Sequence, residues 1–262
     1  MPYQDLILDK GSDGIATVTL NQPEKLNAFS EGMRKSMRLV CDEVAKDDQV
    51  RVVIITGNGR AFSSGADLSR DRGERTRYER IEVTGPTFGT DLVFKLDKPV
   101  IAAVNGVCAG MGFSLALSCD IRIASEAARF ISVFVRRGLV PDCGLTYLLP
   151  KAVGMSKALE MMFTGQEVNA ADALKFGLVS QVVPPEKLMD TCRELALKIA
   201  DQPPLSIELT KRVAKRAMAQ ELESAYYMET YAQRSYALPS DDRHEAVKSF
   251  LEKRPHAPWK GA

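Results

Sequence analysis

Residues 99–119 carry no charged side chain. As a helix, that stretch would be long enough to cross a bilayer. It even holds Gly106 and Gly110 at the spacing of a membrane helix-packing face. Yet Asn105-Gly106 is a turn dipeptide in its middle, and Gly110 and Gly112 follow it. The run therefore divides into a buried strand over 100–104, a turn, and a short apolar helix over 113–119. A chain with such a segment has to bury it on every side, so a membrane span is not expected.

The flanking sequence repeats this theme. Residues 15–20 alternate Ala16, Val18 and Leu20 against Ile15, Thr17 and Thr19, the pattern of a half-buried strand. From Ser30, a fitting N-cap, Met33, Met37, Val40 and Val44 recur on one helical face. Val52-Val53-Ile54-Ile55 is a β-branched run ended by Thr56-Gly57-Asn58-Gly59, which reads as a strand buried on both faces. Residues 120–124 make another compact strand. Strands alternating with helices predict an α/β fold. Beyond about residue 185 the chain turns helical: Leu188, Cys192, Leu195 and Ile199 keep helical spacing, Pro203-Pro204 breaks it, and helices follow over 205–219, 221–237 and 241–253. The reading is an α/β core over 1–200 and a helical region over 201–262.

Composition excludes several chemistries. With 35 Lys and Arg against 34 Asp and Glu, the net charge of +1 gives no reason to expect nucleic acid or an anionic membrane as partner. The only histidines, His244 and His256, sit near the C-terminus, and the five cysteines show no C-x-x-C spacing. No metal site is expected, and reduced thiols in a cytoplasmic setting are. The start, Met-Pro-Tyr-Gln-Asp, has neither a basic nor an apolar leader, which fits that location. Acid–base chemistry, if present, falls to a carboxylate. Between Asp67 and Asp91, Arg70, Arg72, Arg75, Arg77 and Arg80 crowd together with acidic residues. That stretch reads as a solvated surface segment or, alternatively, as a lid whose arginines meet an anionic ligand.

Two glycine-bearing loops carry most of the functional information. Ala61-Phe-Ser-Ser-Gly-Ala-Asp-Leu68 follows the strand at 52–55, and Asn105-Gly-Val-Cys-Ala-Gly-Met-Gly112 follows the one at 100–104. Each leads toward a helix, where backbone N–H groups stabilise negative charge. Neither fits a dinucleotide fingerprint: Leu115 stands where a third small residue is needed after Gly110 and Gly112. No phosphate loop and no nucleophile elbow occurs.

Together with Pro23-Glu-Lys-Leu-Asn-Ala28, Lys98–Gly106, Cys119-Asp120, Gly138-Leu-Val-Pro-Asp142 and the stretch from Phe163-Thr-Gly-Gln-Glu167 to Gly177-Leu-Val179, these loops closely resemble the crotonase, or enoyl-CoA hydratase/isomerase, superfamily. The resemblance runs along nearly the whole chain. It implies a spiral of β-β-α turns followed by helices that build trimers, often paired into hexamers. It implies an acyl-coenzyme A thioester as substrate, with no separate cofactor. It places an oxyanion hole on the N–H groups of Ala66 and Met111, and a coenzyme A site at Lys25, Ala28, Ala66, Asp67 and Leu68. Alone, Lys25 also reads as a surface lysine and Asp67 as a helix-start cap.

The chain departs from the hydratase pattern at two positions. Where the resemblance expects two catalytic glutamates stand Ser114 and Phe134, which cannot act as an acid–base pair near neutral pH. They imply a less charged substrate pocket. Asp142 occupies a position that some members use for an acidic catalytic residue. Leu139, Val140, Phe134 and Met111 suggest apolar surroundings that would raise its pKa; the alternative is a cap on the next turn. A covalent Asp142 intermediate would need a water-activating histidine that the α/β part lacks. Cys143 is expected to be a packed bystander. The resulting expectation is an enoyl-CoA isomerase in which Asp142 carries the proton. An atypical hydratase and a catalytically inactive acyl-CoA-binding protein are the alternatives.

Overall fold

The computed structural model describes residues 3–67 and 90–262. The arginine-rich stretch read as a surface segment or lid, and Leu68, lie outside the described residues. Among those described, ten strands form two sheets. The larger contains β1 (Leu6–Lys10), β2 (Ile15–Leu20), β3 (Val52–Gly57), β5 (Val100–Val104), β7 (Ile121–Ser125) and β10 (Gln181–Val183), in that spatial order. The smaller holds β4 (Ala61–Ser63), β6 (Val107–Ala109), β8 (Arg129–Ile131) and β9 (Glu167–Asn169). Apart from antiparallel β1–β2 and β8–β9, the pairing is parallel.

The chain winds as a spiral. β3 leads into β4, β5 into β6 and β7 into β8, each time stepping from the large sheet to the small one. The helices Thr90–Lys95 and Met111–Ser118 return the chain to the large sheet. The expected α/β class with β-β-α turns is therefore the observed one. The uncharged stretch becomes β5, a turn, β6 and the helix Met111–Ser118, every residue of which is buried. None of the described helices is long and apolar enough to cross a membrane.

Burial on both faces explains the continuous apolar runs. One face of the large sheet puts Val53, Ile55, Val100, Ala102 and Val104 into the main core, shared with Met33, Met37, Val40 and Val44 of the helix Glu31–Lys46. Ser30 caps that helix, its hydroxyl accepting from the Met33 N–H at 2.9 Å. The other face packs Ile54, Ile101, Ala103 and Ile123 against Leu188, Cys192 and Ala196 of the helix Leu188–Ala200. Ile15 joins this second core while Ala16, Val18 and Leu20 join the first, so β2 is covered on both faces, not half-buried as its alternation suggested.

The helical C-terminal region comprises Pro204–Ala217, Leu222–Ala232, a wider turn over Gln233–Ala237, and Asp241–Glu252. Its first helix is fastened to the sheets by charge. Lys211 and Lys215 straddle the Asp120 carboxylate at 2.6 and 2.8 Å, and Lys211 also donates to the Lys98 carbonyl at 2.6 Å. Tyr226, Tyr227, Phe250 and Leu251 stand exposed on the later helices.

Candidate active site

The small sheet brings the two glycine loops together, because parallel β4 and β6 set their C-terminal ends side by side. Each of the expected loops contains one of these three-residue strands. Two asparagines hold β4 in place. Fully buried Asn27 donates to the carbonyls of Ala61 at 2.7 Å and Asn58 at 2.9 Å. Asn105 donates to Gly59 at 2.8 Å and Ala61 at 3.2 Å. The Ser63 hydroxyl returns a bond to the Asn27 carbonyl at 2.7 Å.

Beyond β4, residues 65–67 run beside Phe29. The Phe29 N–H donates to the Gly65 carbonyl at 2.7 Å and the Asp67 N–H donates to the Phe29 carbonyl at 3.2 Å. That alternation turns the intervening Ala66 N–H the other way, toward the second loop. Gly65 has φ of +101°, and a Cβ there would lie 2.9 Å from the Ala109 carbonyl oxygen and 3.2 Å from the Met111 nitrogen. Only glycine permits so close an approach with that backbone. Met111 opens its helix behind Gly110, so its N–H is one of the donors a helix start leaves without a partner. Among the described residues, neither the Ala66 nor the Met111 N–H donates to a protein acceptor. Two such N–H groups lining one cleft, one of them at a helix N-terminus, can hold an oxyanion.

Asp142 lines the same cleft as Ala66 and Met111, together with Ser64, Phe134, Leu139 and Cys143. It sits in a turn where Cys143 and Gly144 both take left-handed backbone, with φ of +57° and +86°. Its own carbonyl accepts from the Leu145 N–H at 3.1 Å and from the Ser114 hydroxyl at 3.2 Å. Fully buried Ser114 thus ties the Asp142 turn to the helix Met111–Ser118 and is not among the residues lining the cleft.

Two expectations about this region are corrected. Asp142 is exposed, with Leu139 and Val140 55% and 81% exposed, so the apolar neighbours in sequence do not enclose it. The cleft is also not poor in charge. Arg34 and Arg137 line it beside Asp142, and no sequence pattern had singled out either. The capping alternative for Asp142 lacks support, since Gly144 is the N-cap of the helix Leu145–Val153 and no side chain caps it. Cys143 packs against the main core, as expected. It lines both the cleft and an adjoining apolar hollow of about 310 Å³ bounded by Thr90, Phe94, Tyr147 and Leu148. Burial pushes its thiol well above the usual range, and a hydrogen bond to the Asp142 carboxylate adds to the shift.

The expected coenzyme A residues Lys25, Ala28, Ala66 and Asp67 gather at one end of this arrangement. Lys25 closes the short turn Pro23–Lys25, and its ammonium meets the Asp67 carboxylate at 3.0 Å. Its carbonyl accepts from the Ala28 N–H at 3.2 Å and from the Ser64 hydroxyl at 3.2 Å. Asp67 is thereby an ion-pair partner of Lys25.

A spiral of two sheets with N–H donors beside a carboxylate-bearing cleft is a scaffold that can stabilise an oxyanion, and comparison with known proteins says which family carries it. The family model described as enoyl-CoA hydratase/isomerase matches residues 10–262. The 1,2-epoxyphenylacetyl-CoA isomerase of Escherichia coli is 38% identical, over 95% of this chain and 97% of the relative. The short-chain-enoyl-CoA hydratase of Clostridium acetobutylicum is 39% identical, over 97% of each chain. Among solved structures, an enoyl-CoA hydratase from Bacillus anthracis superposes with a TM-score of 0.92 at 31% identity, covering 99% of this chain and 100% of that one. The chain belongs to the enoyl-CoA hydratase/isomerase family.

Proposed function

We propose that this protein moves a carbon–carbon double bond in an enoyl-CoA thioester, with Asp142 as the single proton carrier. The observation that carries this reading is the position of the Asp142 carboxylate in the cleft that Ala66 and Met111 line, while Ser114 and Phe134 stand where a hydratase would hold its glutamates. With a 3-enoyl-CoA substrate, the thioester oxygen accepts the Ala66 and Met111 N–H groups. The ionised Asp142 carboxylate takes a proton from C2, and the electron pair spreads over the dienolate toward that oxygen. The acid so formed returns the proton at C4, leaving the double bond between C2 and C3. One carboxylate begins and ends ionised, and no water is consumed.

The two donors supply the electrostatic part of the catalysis. Each is a main-chain group held by the fold, so it needs no reorganisation as the dienolate forms, and removing one such donor typically costs about 10²–10³ in rate. Lys25, Ala28, Asp67 and Leu68 are the residues we assign to the coenzyme A portion. The exposed Tyr226, Tyr227, Phe250 and Leu251 support self-association of the C-terminal helices into a trimer or hexamer. The names of the relatives divide between isomerase and hydratase, so the choice rests on Asp142. Asp142→Asn tests it: turnover of 3-hexenoyl-CoA should fall about 10³-fold, a loss typical of removing a positioned acid–base group. Hexanoyl-CoA binding should change little. Undiminished isomerisation by the Asn variant would dismiss the assignment.

A further inference from the structure

The catalytic cleft holds more positive charge than proton transfer requires. Among the described residues that line it, Arg34 and Arg137 are the cations and Asp142 is the carboxylate; Arg34 has an interaction of its own, which leaves Arg137 to be accounted for. Arg137 follows Arg136 at the end of the short turn Val135–Arg137, just before Gly138, whose φ of +65° turns the chain toward Asp142. Its backbone N–H is used, donating to the Phe134 carbonyl at 2.9 Å. Its guanidinium has no hydrogen-bond or ion-pair partner among the described residues. An arginine that serves only the fold usually meets a carboxylate or a carbonyl, as Arg122 does with the carbonyls of Leu178 at 2.7 Å and Cys119 at 3.0 Å. Arg137 is exposed and lines the cleft beside Asp142.

The hollow that shares Cys143 with the cleft has the opposite character. Past Cys143 lies the hollow of about 310 Å³, lined by Phe94, Tyr147 and Leu148 and by Asp91. One oxygen of Asp91 meets Lys95 at 3.2 Å, and the other is buried without a partner. A neutral alkyl tail suits that hollow, whereas an anionic tail entering it would face an unpaired carboxylate oxygen. Cleft and hollow thus differ in the charge of the group each suits.

We infer that Arg137 is a specificity-determining residue that binds a second carboxylate on the acyl group, so that the favoured substrates are short thioesters of dicarboxylic acids. This rests on the acyl group lying between Asp142 and the Ala66 and Met111 donors, as proposed above. A planar guanidinium matches a carboxylate with two parallel hydrogen bonds, which a neutral methyl terminus cannot make. The chemistry upstream is then a reaction class that leaves a carboxylate at the far end of the chain, such as oxidative opening of a ring.

Binding of saturated thioesters tests this independently of Asp142, because they have no double bond to move. Titration calorimetry with adipoyl-CoA and hexanoyl-CoA should show adipoyl-CoA binding about tenfold more tightly, the scale of a charge-assisted hydrogen bond. In Arg137→Gln that ratio should fall to within about twofold of one, and Arg137→Lys should keep part of it. Equal affinities in the unaltered protein, or a preference that survives Arg137→Gln, would overturn the inference while leaving the proposed isomerisation standing. A Lys variant as indifferent as the Gln variant would contradict a charge-based site. Failure of either thioester to bind at all would overturn both readings. Sedimentation of each variant is the control, and a changed assembly state in Arg137→Gln would also count against the inference.

Discussion

The two sides of the cleft are built differently. The oxyanion side consists of main-chain groups set by buried strands and by the Asn27 and Asn105 side chains that hold β4. The Asp142 side is an exposed turn of left-handed residues, tied to the body through the carbonyls of Asp142 and Cys143. Those accept from Ser114 at 3.2 Å and Thr90 at 3.4 Å. In the proposed reaction the rigid side stabilises charge whatever proton is moved, and the exposed side decides where the proton goes. Such a division lets the reaction type change through a few side chains while the core is kept.

Perturbing the rigid side should cost most. Met111→Pro removes one donor N–H at a helix position that tolerates proline. Steady-state kinetics on an enoyl-CoA substrate should show kcat lower by about 10²–10³. Circular dichroism should show the fold retained. Gly65→Ala places a Cβ 2.9 Å from the Ala109 carbonyl oxygen in a backbone conformation that side chains resist. It should lower kcat by about 10²-fold through separation of the two donors, with a lower melting temperature. If both variants keep full activity, the rigid side is not where charge is stabilised.

Smaller effects belong to the exposed side and its neighbours. Burial disfavours the Cys143 thiolate, so at pH 8 iodoacetamide should modify this thiol about tenfold or more slowly than free cysteine, as peptide mapping would show. Ser114→Ala removes the hydroxyl bond to the Asp142 carbonyl and should cost about 1 kcal/mol of stability by urea denaturation, with a modest drop in kcat. Lys25→Ala should weaken coenzyme A thioester binding by about two- to fivefold, as expected for a partly exposed charge. That loss should shrink at high salt. A Ser114 variant more damaged than the Gly65 variant would reverse the comparison.

Much of the rigid side was legible in the sequence. The β-branched run at 52–55 and the uncharged stretch 99–119 announce strands covered on both faces, and their terminal glycines announce the loops. Ser30 was legible as a helix cap because capping is local chemistry. The small sheet was not, since its strands have only three residues each and take their pairing from distant segments. Asp142 could be singled out only through family resemblance, and its exposure ran against the apolar residues beside it. Arg34 and Arg137 meet in the cleft from positions about a hundred residues apart in the chain, which no local pattern signals.

The central claim is that a single exposed carboxylate moves a proton above a fixed oxyanion hole without adding water. Incubating the protein with 3-hexenoyl-CoA in deuterated water and following products by mass spectrometry and NMR tests this most directly. The account predicts 2-hexenoyl-CoA as the product and no 3-hydroxyhexanoyl-CoA beyond the uncatalysed level. Accumulation of the 3-hydroxyacyl thioester at a rate matching or exceeding isomerisation would contradict it.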